Sequence, residues 1–404
     1  MHWQQPIPRS YTQLPTEEML ARIDARKRQL GGSLVILGHH YQQDDVIRFA
    51  DIVGDSFHLS REAAKLDKAR YVVFCGVHFM AESADILTSD HQQVILPDLG
   101  AGCSMADMAS LEDVQDAWQI IQDACRDIAD FTLVPITYIN STAAIKSFVG
   151  EHGGTVCTSS NCEKILRWAL NLSDGPLENQ KSKFENRKVI FFPDQHLGRN
   201  TAFKMGFPLS EMVVWNYREP GGGLTDEEIR NARFILWKGH CSVHQLFRPE
   251  HVDQARAKHP GIKVIVHPEC RFEVVQKADL AGSTEFIGRT IAAAAPGSAW
   301  SVGTEVHMVN RLAKQFPDRH ISILSDCQCL CTTMYRIDPP HLLWTLDNLA
   351  EGKVVNQIIV DEKTKEWSRV ALNRMLEITA GKSPVVTPAP ARTRREHDPL
   401  HVLR

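Results

Sequence analysis

The sequence predicts an α/β protein of three similar α/β/α domains, with parallel sheets in a pseudo-threefold arrangement around a central active site. Three observations carry this expectation. Short β-rich apolar runs alternate with helix-length amphipathic segments, the pattern of parallel strands covered by helices. The stretch Ala50-Asp51-Ile52-Val53-Gly54-Asp55-Ser56 reads again as Ala278-Asp279-Leu280-Ala281-Gly282-Ser283-Thr284, and the offset of 228 residues (278 − 50) also takes His39 to His267 and Cys103 to Cys331. A looser middle copy carries Tyr138, Thr158-Ser159, Asp194 and Cys241 in the same order. Self-similarity at a domain-sized period means one supersecondary unit used several times.

The apolar runs fall at 34–37, 71–74 and 94–96, then at 131–136, 189–192 and 234–237, then at 264–266, 300–302 and 321–324. They imply an N-terminal extension (1–30), α/β domains over 31–129, 130–260 and 261–350, and a C-terminal helix and tail (351–404). Polar residues follow the first run of each unit at once: Gly38-His39-His40-Tyr41, Tyr138-Ile139-Asn140 and His267-Pro268-Glu269-Cys270. Ligands of open α/β sheets sit beyond the carboxyl ends of the strands, so these three tips are expected to face one cavity. The third run of each unit leads to a cysteine: Cys103, Cys241 and Cys331. From tip to cysteine the outer copies span 64 residues (103 − 39 and 331 − 267). The middle copy spans 103 (241 − 138), because segments such as 177–187 and 215–225 are inserted there. Gly221-Gly222-Gly223, in the second insertion, reads as plain loop ahead of a phosphate wrap.

With 404 residues, 43% hydrophobic and 23% charged, the chain is long enough for several cores. A net charge of −4 without a dense basic block argues against nucleic acid. No apolar run reaches the roughly 20 residues of a membrane span. Ten cysteines without a leader-like start make a reducing cytoplasm the expected location. The stretch through Thr16 and the tail from Ser383 read as arms outside the core.

Thiolate sulfur is a soft ligand suited to Zn, Cu(I) or iron–sulfur clusters. Closed zinc sites favour four ligands in close pairs, and neither Cys103 nor Cys241 has a cysteine nearby. Three isolated cysteines on three units fit a cluster with one iron lacking a protein ligand, and such an iron is a Lewis acid. Cys75, Cys125, Cys157, Cys162 and Cys270 read as packing residues. Cys327 or Cys329 could replace Cys331 as ligand, though the repeat register favours Cys331. His39, His40, Tyr41, Tyr138, His244, His267 and Glu269 supply acid–base groups at strand tips or beside a cysteine. Ser56, Ser159, Ser283 and Thr284 occupy the second landmark of their units; each is either a helix N-cap or part of an anion cradle.

With these residues in place, the chain resembles the quinolinate synthase family from about Leu34 to Ala380. The likeness rests on Gly38-His39-His40-Tyr41-Gln42, Phe79-Met80-Ala81-Glu82, Cys103-Ser104-Met105-Ala106, Tyr138-Ile139-Asn140-Ser141-Thr142, Cys157-Thr158-Ser159, Pro193-Asp194-Gln195-His196-Leu197-Gly198, Gly239-His240-Cys241-Ser242-Val243-His244-Gln245, His267-Pro268-Glu269-Cys270, Gly282-Ser283-Thr284, Gly303-Thr304-Glu305 and Cys331-Thr332-Thr333-Met334. The resemblance implies a 4Fe-4S cluster on Cys103, Cys241 and Cys331, and condensation of iminoaspartate with dihydroxyacetone phosphate to quinolinate, phosphate and two waters. It implies that Tyr41, Tyr138, His244 and Glu269 handle proton transfer and orientation. His39, Asn140, His267, Ser56, Ser159, Ser283 and Thr284, with Tyr138 and Glu269, would hold the substrates. It gives His40 no role and leaves room for a transient contact with an L-aspartate-oxidising enzyme. The middle insertion and the Cys327-Gln328-Cys329 run depart from the common pattern. Rival readings are an aconitase-like iron–sulfur hydro-lyase, an iron–sulfur redox sensor and a zinc enzyme.

Overall fold

A computed structural model describes residues 4, 6–173, 177–180, 184, 186–325 and 329–385. The strands are β1 (Leu34–His39), β2 (Ile52–Gly54), β3 (Tyr71–Cys75), β4 (Gln93–Ile95), β5 (Thr132–Tyr138), β6 (Thr155–Cys157), β7 (Arg187–Phe192), β8 (Met212–Trp215), β9 (Phe234–Trp237), β10 (Lys263–Val266), β11 (Leu280–Ala281), β12 (Ala299–Gly303), β13 (His320–Ile323) and β14 (Gln357–Ile358). They form three sheets, in the orders β14-β4-β3-β1-β2, β6-β5-β7-β9-β8 and β11-β10-β12-β13. Each sheet contains the same parallel core, in which the first strand lies between the second and third; the third is flanked by β4 in the first sheet, by β13 in the third, and by β9 in the second, where β8 is added at the edge. The sequence repeat is therefore a repeat of topology. All nine apolar runs are strands. The short strands β2, β6, β8, β11 and β14 were not among them, because two to four residues leave too little periodicity to read.

Strands β3, β6 and β9 are buried along their whole length, as expected where helices cover both faces of a parallel sheet. Helices open directly behind the strand tips with side-chain caps. Asp55 accepts from His58 N at 2.8 Å, Asp194 from Leu197 N at 2.6 Å, and Glu305 from His307 N at 2.8 Å. The helix N-termini thus gather at the same end of each sheet as the polar tips.

The C-terminal segment ties the units together. Strand β14 is the antiparallel exception, paired with β4. The helix Glu362–Thr379 packs on the helix Ala143–Glu151, where Ser368 Oγ donates to Ala143 O at 2.9 Å and Thr155 Oγ1 to Ala371 O at 2.8 Å. Arg311 reaches from the third unit to the first, at 3.0 Å from Asp44 Oδ1 and 2.9 Å from His40 O. The N-terminal arm is not free of the body: Gln4 Oε1 accepts from Leu99 N and Asn356 Nδ2 at 2.8 Å each, and Ile7 is buried. At the other end Trp168 Nε1 donates to Pro384 O at 2.6 Å. Both arms exceed the sequence expectation because the Gln4 side chain and the Pro384 carbonyl find polar partners on the body. Among the described residues no helix is long and apolar enough to cross a membrane.

The helix pairing is tight enough to admit no side chain at Gly150, where a Cβ would lie 2.0 Å from the Trp367 carbonyl oxygen. Gly150→Ala is expected to cost about 1–3 kcal/mol through overpacking, read as a lowered urea midpoint. An unchanged midpoint would mean that the C-terminal helix docks less closely than described.

Candidate active site and metal centre

The tips of the three sheets meet in one partly enclosed cavity. His39 ends β1, Tyr138 ends β5, and His267 follows β10; all three line it, together with Cys103, Cys241 and Cys331. Each cysteine opens a tight turn that runs into a 3-10 helix, at Ala106–Met108, His244–Leu246 and Met334–Arg336. Backbone N–H groups of those turns point at the sulfurs: Met105 and Ala106 at Cys103, His244 at Cys241, Thr333 and Met334 at Cys331. Gly239 allows the middle turn to close, since a Cβ there would lie 2.1 Å from Pro193 O.

Burial dominates the charge state of these thiols. It pushes Cys103 up to about 12, and Cys241 well above its ordinary value; neighbouring Cys331 adds to both, while the N–H groups pull the other way. Cys331 is raised by the same burial. Three neutral thiols converging among Val77, Met105, Val243 and Met334 need a cation to become thiolates, and a soft metal centre would supply it. Cys329 and Cys270 turn away into a core with Val264, Val266 and Leu324. Cys331 therefore fits the ligand position where Cys329 does not, and Cys327 lies outside the described residues. Among the described residues no fourth cysteine lines the cavity.

Glu269 is buried beside this trio. Burial alone would raise its carboxyl, but His267, His244 and Tyr138 around it hold it down to about 2. His244 Nδ1 lies 2.6 Å from Glu269 Oε2, against 3.7 Å for His267 Nδ1. Burial holds His267 itself down to about 3. On its far side His244 Nε2 lies 3.2 Å from Thr304 Oγ1, which is 2.7 Å from the Tyr41 hydroxyl. Burial raises Tyr41 and Tyr138 well above their ordinary range, so both are neutral O–H groups.

The hydroxyl landmarks divide. Ser56 and Thr284 are the first residues of their helices and line the cavity. Ser159 lines it too, but from a turn ahead of the helix Cys162–Ala169, not from a helix start. Ser283 is not among the lining residues: its Oγ caps the helix by accepting from Phe286 N at 3.2 Å. Asn140 Oδ1 and Thr158 Oγ1, both at the cavity, are buried without a hydrogen-bond partner among the described residues, as acceptors and donors awaiting a ligand would be. His40 stays out of the cavity, 3.5 Å from Glu285. Gly221–Gly223 wraps against Trp215 and Glu219, away from the cavity. The sequence reading gave no role to Thr304, Thr158 or Asp55. Thr304 follows β12 directly, so applying the strand-tip rule to the third strand of the repeat would have found it.

Fold and cavity together fit an α/β enzyme that handles small molecules, with three cysteines placed where they could hold a soft metal. The family model described as quinolinate synthetase A protein matches residues 21–377. Quinolinate synthases of similar sequence include that of Acidobacterium capsulatum, 56% identical over 91% of this chain and 95% of the relative. Those of Nocardioides sp. (56%, over 90% of each chain) and Herpetosiphon aurantiacus (55%, over 91% and 94%) are comparably close. The chain belongs to the quinolinate synthase family.

Three buried histidines make the fold acid-sensitive. Burial holds His39, His196 and His267 down to about 3, against about 6.5 in an unfolded chain. Below about pH 6.5 the unfolded state takes up protons that the fold refuses, so stability is full above that pH and is lost as pH falls toward 3. The unfolding free energy of metal-free protein, from urea titrations, is expected to drop steadily from pH 7 to pH 5, by up to about 1.4 kcal/mol per pH unit for each histidine. A flat profile would mean these rings accept protons within the fold.

Proposed function

We propose that the protein condenses iminoaspartate with dihydroxyacetone phosphate to quinolinate, releasing phosphate and two waters. The observation that carries this reading is the convergence of three equivalent cysteines and a buried Tyr41–Thr304–His244 chain on one cavity, in a chain of this family. Cys103, Cys241 and Cys331 would hold a 4Fe-4S cluster whose fourth iron, lacking a protein ligand, supplies Lewis acidity for expelling a hydroxyl as water.

The remaining work falls to the chain's own groups. Glu269, held ionised, accepts a proton, and the Tyr138 O–H beside it donates one. Tyr41 passes a proton through Thr304 Oγ1 to His244 Nε2, and the Glu269 carboxylate stabilises the ring that receives it. Ser56 and Thr284, at helix N-termini, with Ser159, Asn140, His39 and His267, bind phosphate and carboxylates. Ser283 acts on the substrate only through the helix start it caps. Iminoaspartate hydrolyses readily in water, so a transient contact with an L-aspartate-oxidising enzyme is the delivery route this reading favours, in a reducing cytoplasm that keeps the three thiols available. We further propose that the domains divide at 31–129, 130–260 and 261–350.

Anaerobically purified, cluster-loaded protein supplied with both substrates is expected to form quinolinate. Dehydration of a single hydroxy acid without quinolinate formation would instead establish a hydro-lyase. Cys103→Ala, Cys241→Ala and Cys331→Ala should each lose iron and activity, while Cys329→Ala keeps its iron; iron content of the four variants decides the ligands.

Thr304→Val conserves shape and breaks the Tyr41–His244 connection. It is expected to lower kcat by about 10²–10⁴-fold at unchanged iron content. Near-normal turnover would remove the relay from the mechanism.

A further inference from the structure

Cys241 Sγ, a His244 ring nitrogen and a Glu269 carboxylate oxygen all lie within 4.8 Å of one another. This group shares one residue with the three cysteines and is otherwise separate from them. His244 is fully buried and Glu269 nearly so, so neither is a solvated surface group. His244 Nδ1 stands 2.6 Å from Glu269 Oε2, so two of the three donor atoms are already held side by side away from solvent.

We propose that Cys241, His244 and Glu269 form a zinc site that competes with cluster assembly. One sulfur, one nitrogen and one oxygen make the borderline donor set that Zn²⁺ takes, in contrast to the all-sulfur set of Cys103, Cys241 and Cys331. Zn–S of about 2.3 Å and Zn–N or Zn–O of about 2.0 Å put neighbouring donors about 3.3–3.7 Å apart. The group needs to draw in by about 1 Å at its widest and to part slightly at the His244–Glu269 contact. The outer shell is already built: Thr304 Oγ1 lies 3.2 Å from His244 Nε2, and Tyr138 hydrogen-bonds to Glu269. Binding displaces the Cys241 thiol proton to solvent, and the fourth position opens to the cavity and takes water. Because Cys241 cannot serve both centres, zinc bound here holds the enzyme in a form that cannot take up its cluster.

The test uses full-length, cluster-free protein kept anaerobic and titrated with zinc chloride. One zinc per chain is expected, with an X-ray absorption spectrum fitted by a single sulfur and nitrogen or oxygen neighbours. A spectrum with two or three sulfurs, or no retained zinc, overturns the proposal without any variant. His244→Ala and Glu269→Gln should each weaken zinc at least about tenfold, whereas Cys103→Ala should leave the affinity within about twofold. Equal losses in Cys103→Ala and Cys241→Ala would assign the zinc to the cysteine trio and refute the site. Quinolinate formation by cluster-loaded protein is read separately, so failure of the zinc site and failure of the assigned reaction are distinguishable.

Discussion

The structure depends on the burial of three thiols and a carboxylate in a cavity that carries no lysine or arginine among its described lining residues. The only basic rings in that lining, His39 and His267, are kept neutral by burial. Bare, the three sulfurs stay protonated; in the proposed function they would become ligands only with an inorganic cation among them. The same lack of side-chain cations means that an anionic substrate would have to be held by hydroxyls, amides and helix N-termini, and Ser56 and Thr284 line the cavity from the first turns of their helices.

That chemistry is delivered by repetition. A parallel strand order used three times puts the carboxyl end of every central strand, and the N-terminus of every following helix, at the same end of its sheet. A polar residue one step beyond the strand then faces the ligand with no special loop required. The cysteine turns repeat as well, each directing main-chain N–H groups at its sulfur. A backbone donor survives changes in neighbouring side chains, so this device depends on local chain geometry more than on residue identity.

Much of this was legible in the sequence, because the outer copies preserve register. His39 with His267, Cys103 with Cys331 and the Gly54/Gly282 motifs all obey one offset, and the matching strands are the ones that pair as that offset demands. The choice of Cys331 over Cys329 followed from the same register; two residues along the chain separate Cys331, which lines the cavity, from Cys329, packed in the core. The rest was hidden for definable reasons. Thr304 carries no chemistry until Tyr41 and His244, from two other units, are brought to either side of it. Ser283 and Thr284 carry the same hydroxyl in adjacent positions, yet one caps the helix and the other lines the cavity, a distinction set by a single residue's rotation around a helix start. The middle copy is too loose to show that Ser159 sits in a turn ahead of its helix, where Ser56 and Thr284 open theirs.

The proton-handling groups show why the units must act as one body. Tyr41 comes from the first unit, Tyr138 and His244 from the second, Thr304 and Glu269 from the third. No unit holds two consecutive members of the chain Tyr41–Thr304–His244–Glu269, so the proposed relay needs all three sheets in place. Hydrogen bonds near 3 Å tolerate little sliding between those sheets. Contacts that fix the arrangement lie outside the cavity: Arg311 grips the loop after β1 from the third unit, and the C-terminal helix fastens the first unit to the second through Lys365, 3.1 Å from Asp85, and Ser368, bonded to Ala143 O. Residues far from the reacting atoms thereby set the distances on which the chemistry relies, and the cost of ordering the relay is borne in the folding of the whole chain rather than at the moment of substrate binding.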